Sequence, residues 1–373
     1  MFTIELSVTE KCNLGCPYCY VANKASFMSK EIYDKGMEDL TNFLERSGHD
    51  EYQLSYFGGE PMLNWDLIEY SVPKLKADPR CKGIVLISNL TMIDEEKAKF
   101  LKDNDIGVSW SFDGMSSNET RPLLKVQENQ KSDSDDLYTD ILEMYKDKKE
   151  YIMDLVNGCK FMVWPGNVGE MVDNFDFFID WGVPNPDYSI IRDDVWTKDD
   201  IIFFRQETIK LADSWIEKLK NGQRCSVGFL LLAILDSTMG IAKGKRPFGC
   251  FAGCSGAVLT SKGDFYPCQR FATKDMMKME EDYDFKYWGE QFKPENYDKC
   301  KGCALEMVCN AGCSFSQLRN DNKPLDSICE LFHIIYEQAL RVTNECQDIP
   351  IFKEMIINAF NNIETKNGIT IDG

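Results

Sequence analysis

Three cysteines fall within eight residues near the start of the chain. The stretch "KCNLGCPYCYV", residues 11–21, spaces Cys12, Cys16 and Cys19 as C-x3-C-x2-C, with Gly15 and Pro17 allowing a tight loop between them. Four thiolates close a zinc site or a cubane iron-sulfur cluster. Three leave one position open, and an open position on a metal centre is a place for substrate or cofactor. The same residues could instead form a zinc knuckle or remain three buried thiols.

A second array lies downstream. Cys250, Cys254 and Cys268 precede "CKGCALEMVCNAGC", which holds Cys300, Cys303, Cys309 and Cys313, and Cys329 follows. Eight thiolates would fill two four-iron clusters or a pair of zinc sites, and spacing alone does not pair them. Cys81, Cys159, Cys225 and Cys346 have no partner spacing and read as small buried hydrophobes. An odd total of fifteen cysteines, with no export signal at the amino terminus, reads as a reduced, cytoplasmic protein and not as a disulfide framework. The two histidines, His49 and His333, read as ordinary helix or turn residues.

The elements that must position these cysteines alternate through the first half. Strands are expected at 3–8, 52–57, 83–88, 106–112, 159–164 and 187–191. Helices are expected at 29–48, 64–76, 94–103, 138–156, 168–181 and 199–220. Six strands each followed by a helix require crossover connections, so the sheet should be parallel. Six units are too few for an eight-fold barrel, and the fold class is α/β, a partial (β/α)6 TIM barrel over residues 1–239. The chemistry of such a sheet sits at the carboxyl ends of its strands, where the first three cysteines lie. The polar stretch 125–136 reads as a surface loop. "KGKRPFGCFAGC", 243–254, opens a region dense in cysteine and turn signals, placed as a second domain at 240–346 with a closing helix at 327–345 and a helical tail to 373.

The chain has 373 residues, 43% hydrophobic and 28% charged, and a net charge of -19. That charge repels phosphodiester backbones, which argues against nucleic acid as a partner. The longest apolar run, "FLLLAIL" at 229–235, is far short of the ~18 residues a membrane span needs.

C-x3-C-x2-C with Tyr18 before its third cysteine resembles the signature of radical S-adenosylmethionine (SAM) enzymes. In that family the open iron is chelated by the amino and carboxylate groups of SAM. "YFGGEP" after the second strand resembles the family's GGE motif, implying that Gly58, Gly59 and Glu60 hold the SAM amino group. "ISNLT" and "WSFDG" at the third and fourth strand ends resemble its polar SAM contacts, implying Ser88, Asn89 and Ser111, with Arg121 placed to pair with the SAM carboxylate. The reaction implied is reductive cleavage of SAM to a 5'-deoxyadenosyl radical that takes a hydrogen atom from the substrate. A flavodoxin- or ferredoxin-like reductant is implied as partner.

The downstream array, with Gly263 of "GDFYPC" leading into Cys268, resembles the SPASM domain of radical SAM enzymes that act on peptides and proteins. The resemblance implies one auxiliary 4Fe-4S cluster on Cys250, Cys254, Cys268 and Cys313, and a second on Cys300, Cys303, Cys309 and Cys329. Anaerobic sulfatase-maturating enzymes share this layout but carry an aspartate base directly after the cysteine of "YPC", where this chain has Gln269. The expectation is therefore a maturase of ribosomally made peptides, forming a thioether or carbon-carbon crosslink or a related oxidation. Only two residues precede the first expected strand, so leader recognition falls to a separate leader-binding protein or to the enzyme's own surface.

Overall fold

The computed structural model describes residues 1–21, 23–124, 140–156, 158–243, 250, 252–280, 283–309 and 312–367. The stretch 125–136, residues 138–139 and most of 243–251 lie outside them. In chain order the elements are β1 (Phe2–Thr9), α1 (Lys30–Ser47), β2 (Tyr52–Gly58), α2 (Trp65–Ala77), β3 (Cys81–Ser88), α3 (Glu95–Asp103), β4 (Gly107–Ser111), α4 (Ser117–Thr120), α5 (Ile141–Asp147), α6 (Lys149–Leu155) and β5 (Cys159–Val163). There follow α7 (Met171–Trp181), β6 (Asp187–Ile190), α8 (Lys198–Lys220), α9 (Gly228–Lys243), β7 (Gly256–Leu259), β8 (Phe265–Tyr266), α10 (Gln269–Thr273), α11 (Phe285–Gln291), α12 (Ser314–Leu318), α13 (Asp326–Cys346) and α14 (Pro350–Asn367).

Local chemistry sets these boundaries. The Ser29 side chain accepts from Ile32 N to start α1, and Gly48 at φ +72° ends it in the left-handed conformation that glycine adopts without cost. Thr197 and Asp200 form a reciprocal capping box on α8. The helix expected over 138–156 is two helices. The chain leaves helical geometry at Lys148, whose ammonium donates to the carbonyls of Thr91 and Ile93 at 2.7 and 2.9 Å.

The chain divides into two compact units, each discontinuous in sequence. The first comprises Met1–Lys160 and Phe251–Gln291. Its sheet runs β5-β4-β3-β2-β1-β7-β8, parallel throughout except for β8, which pairs antiparallel with β7. The six-strand parallel α/β sheet is thus present, with a departure from the sequence reading: β7 lies beside β1 in register Thr3↔Gly256 to Leu6↔Leu259. One face of this sheet is sealed by helices, with Phe2, Ile4, Leu6, Leu54, Tyr56, Leu86 and Trp110 fully buried. The other face carries Glu5, Ser109, Ser111 and Lys160, all half-buried. Parallel sheets are normally apolar on both faces, so this polar face is a departure that a ligand-facing surface would explain.

The second unit comprises Phe161–Cys250 and Phe292–Gly373 and contains the end of β5, beside β6. Here α8 packs on α7 and α13, and α9 on α13 and β6. Phe161, Phe178 and Tyr188 form an aromatic cluster with ring centroids 5.0–5.9 Å apart.

Candidate functional site

In the first unit, the ends of β1 to β4 grip the loop that carries Cys12, Cys16 and Cys19. Gly58 closes β2 at φ +134°, and Gly59 N and Glu60 N donate to Thr9 O and Lys11 O, each at 2.8 Å. A Cβ at Gly58 would lie 2.1 Å from Thr9 O, and one at Gly59 would lie 2.1 Å from Lys11 O. Only glycine permits this approach, which fixes the chain on its way into Cys12. The far side of the loop is held by Gly15 N to Pro122 O at 2.8 Å and Leu124 N to Asn13 O at 3.0 Å.

The GGE carboxylate is engaged inside the protein. Glu60 is buried, and it accepts from Met62 N at 3.0 Å, Ser88 Oγ at 2.7 Å and Asn89 N at 2.9 Å. Burial pushes its carboxyl up to about 7 against the pull of those hydrogen bonds. The Asn89 side chain donates to Asn13 Oδ1 at 3.0 Å, and Asn13 donates to Thr91 Oγ1 at 2.7 Å, tying the end of β3 to the cysteine loop.

A buried ion pair holds the loop from the end of β4. Asp113 accepts from Arg121 Nη2 at 2.9 Å, from Thr120 Oγ1 at 2.7 Å and from the Tyr18 hydroxyl, while the guanidinium lies 5.6 Å from the Tyr18 ring centroid. Burial pulls the Arg121 pKa down, but the charge of Asp113 together with Tyr18 and Cys16 outweighs it and raises the pKa overall. Its Nε–H is buried with no hydrogen-bond partner among the described residues. Asp113 is a candidate site residue that sequence reasoning passed over; the signal was an acid at a strand end shortly before a lone arginine.

The three thiols sit in this cradle. Burial pushes Cys12 up to about 12, helped by the nearby Glu60, and Cys16 up to about 11 against the pull of Arg121. Burial raises Cys19 as well. Metal binding here must therefore displace protons. Thus Cys12, Cys16, Cys19, Tyr18, Gly58, Gly59, Glu60, Ser88, Asn89 and Arg121 come together in one unit, while Ser111 lies at the end of β4 in register with Lys160. Glu60 and Ser88 satisfy each other inside the protein.

In the second unit, Cys300, Cys303, Cys309 and Cys329 line one open-mouthed cavity, together with Lys299 and His333. Cys303 N donates to Cys300 O at 3.1 Å and Cys309 N to Leu305 O at 2.7 Å, winding this segment into tight turns, while Cys329 stands in the first turn of α13. Cys313 caps α12 in the same unit. Cys254, in the turn before β7, and Cys268, at the start of α10, belong to the first unit. None of the fifteen cysteines forms a disulfide. Among the described residues no three His, Cys, Asp or Glu side chains converge as one ion requires. Of the five remaining cysteines, Cys250 is exposed and belongs to the second unit, Cys159, Cys225 and Cys346 are buried, and Cys81 is half-exposed at the start of β3.

Comparison with known proteins gives these features a family. The Radical SAM superfamily profile matches residues 6–158. The radical SAM cyclopropyl synthase TigE of Paramaledivibacter caminithermalis is 30% identical over 164 residues, 40% of this chain and 34% of that protein, so the chain spans about a third of that relative. The cysteine-type anaerobic sulfatase-maturating enzyme of Clostridium novyi is 27% identical over 379 residues, 88% of this chain and 92% of that protein. Among solved structures, anSMEcpe with bound AdoMet and a Cp18Cys peptide superposes with a TM-score of 0.69 at 20% identity, covering 93% of this chain and 99% of that one. Streptococcus suis SuiB bound to its precursor peptide SuiA superposes with a TM-score of 0.55 at 16% identity, covering 87% and 75%. No helix among the described residues is long and apolar enough to cross a membrane. Residues 6–158 thus carry a Radical SAM superfamily domain, and the chain has the fold of anSMEcpe and SuiB.

Proposed function

We propose that this chain is a peptide-modifying maturase that cleaves SAM reductively and takes a hydrogen atom from a peptide substrate. The observation that carries the reading is the three-cysteine loop clamped between the glycine pair of β2 and the Asp113–Arg121 pair at the end of β4. A 4Fe-4S cluster held by that loop would supply, together with SAM, the one-electron reductive cleavage. The chain's own part is to hold Cys12, Cys16 and Cys19, to present the backbone of residues 58–60 to the SAM amino group, and to offer the buried Arg121 Nε–H to its carboxylate. The half-buried polar face of the sheet is the place for the peptide. Auxiliary clusters in the cysteine-rich region 240–346 bring the total to about 12 irons per chain. A separate leader-binding protein and a flavodoxin- or ferredoxin-like reductant complete the system.

The likeness to peptide-bound anSMEcpe and SuiB supports a peptide substrate. The near full-length match to a sulfatase-maturating enzyme favours formylglycine formation as the second reading. Against it stands Gln269, a buried amide that cannot take up a proton. The test is 5'-deoxyadenosine formation by anaerobically reconstituted protein given SAM and a strong reductant, beside the Cys12, Cys16, Cys19 triple alanine variant. Formation by wild type alone, with loss of about a third of the iron in the variant, supports the reading. A full iron complement with no 5'-deoxyadenosine in either sinks it.

A further inference from the structure

The four-cysteine cavity has two nitrogen donors at its wall that no motif predicts. His333 Nε2 lies 3.4 Å from Cys303 Sγ. The Lys299 ammonium lines the same cavity wall as Cys329, its charge acting on that sulfur, and is tethered by Asp326 and by Pro324 O at 3.4 Å. The two contacts cross. Lys299 precedes Cys300 in the turn-rich segment and reaches a cysteine of α13, while His333 stands one turn beyond Cys329 on α13 and reaches back to the turn-rich segment. A thiolate has no proton to give, so in a loaded site the His333 Nε2–H donates to Cys303 while the Lys299 ammonium acts through its charge.

We propose that Lys299 and His333 set the reduction potential of a cluster held by Cys300, Cys303, Cys309 and Cys329. The proposal rests on the reading above that this cavity holds a four-iron cluster. Reduction adds a negative charge that spreads onto the cysteine sulfurs. An N–H donor on one sulfur and a tethered ammonium near another stabilise that added charge and raise the potential. The pair makes this cluster a better electron acceptor than the same four cysteines would be alone.

The experiment is an EPR-monitored redox titration of the full chain, reconstituted anaerobically with iron and sulfide counted, for wild type, His333→Phe, Lys299→Met and His333→Gln. Loss of either donor lowers the midpoint of one cluster by at least a tenfold change in its reduced-to-oxidised ratio, about 59 mV for a one-electron couple. The other signals stay in place, and His333→Gln, which keeps an N–H, holds the wild-type midpoint. Should His333→Phe lose iron, His333→Met fills similar volume without the donor and is read the same way. Unchanged midpoints in iron-replete donor-free variants overturn the proposal. A wild type that binds no iron beyond the first loop fails the functional reading instead, and the iron count separates the two.

Discussion

Gly59→Ala should disable the cysteine loop through its backbone, without touching a cysteine. The new Cβ would stand 2.1 Å from Lys11 O and 2.4 Å from Lys11 C, where a carbon-oxygen contact needs about 3.3 Å. Both obstructing atoms are main chain, so the segment must retreat by about 1 Å, and it is the residue before Cys12 that moves. The retreat breaks Gly59 N to Thr9 O and Glu60 N to Lys11 O, both 2.8 Å. Two buried hydrogen bonds at about 1 kcal/mol each, plus the residual clash, give a loss of about 2–4 kcal/mol. For a unit of this size that lowers the melting temperature by about 5–15 °C. Gly83→Ala is the control, because a Cβ there meets Gln53 Cγ at an ordinary 3.6 Å. Differential scanning calorimetry and iron counts on both variants are the assays, with the loop's share of about four irons lost from Gly59→Ala alone. Wild-type melting and full iron in Gly59→Ala would refute the argument that close backbone approach positions the loop.

Two further outcomes follow from buried charge. Asp113→Asn leaves Arg121 buried without its counter-ion and should cost about 3–5 kcal/mol in urea unfolding, whereas Asp113→Leu combined with Arg121→Met should recover much of that; equal midpoints for Asp113→Asn and wild type would contradict the pairing. Asp236 accepts from the Tyr336 hydroxyl at 2.9 Å, but its other oxygen has no hydrogen-bond partner among the described residues, and burial pushes its carboxyl up to about 6. Between the ordinary value of 3.8 and about 6 the folded chain holds a proton that the unfolded chain has released, so this group's contribution to stability falls as pH rises through that window. Asp236→Asn removes the penalty, and its advantage over wild type should widen by about 1 kcal/mol between about pH 5 and pH 7.5 in denaturant titrations; a constant difference would show that Asp236 keeps its ordinary pKa.

What the sequence disclosed was whatever a short contiguous stretch could carry. The six strands and the three-cysteine loop were legible because alternation, glycine pairs and cysteine spacing are local signals. β7 and β8 were not, since "GAVL" and "FY" are too short to stand out on their own and become strands by pairing, β7 on β1 and β8 on β7. The break at Lys148 escaped for the same reason: the carbonyls that draw its ammonium, Thr91 and Ile93, lie more than fifty residues away.

The polar residues around the cysteines show where such reading stops. Glu60 could be read as an acid at a strand end and given to a ligand's amino group, but its direction is set by Ser88 and Asn89 on the next strand and by Met62 in the turn that follows. His333 could be read only as a solitary helix residue, because the sulfur it faces is thirty positions away. Metal ligands come in clusters because one loop must wrap one centre, whereas the groups that orient and tune them need only be near in space. Cysteine spacing can therefore reveal that a centre exists, while its potential and the pose of its ligands depend on contacts such as Asp113 with Tyr18 and His333 with Cys303, which only the fold brings together.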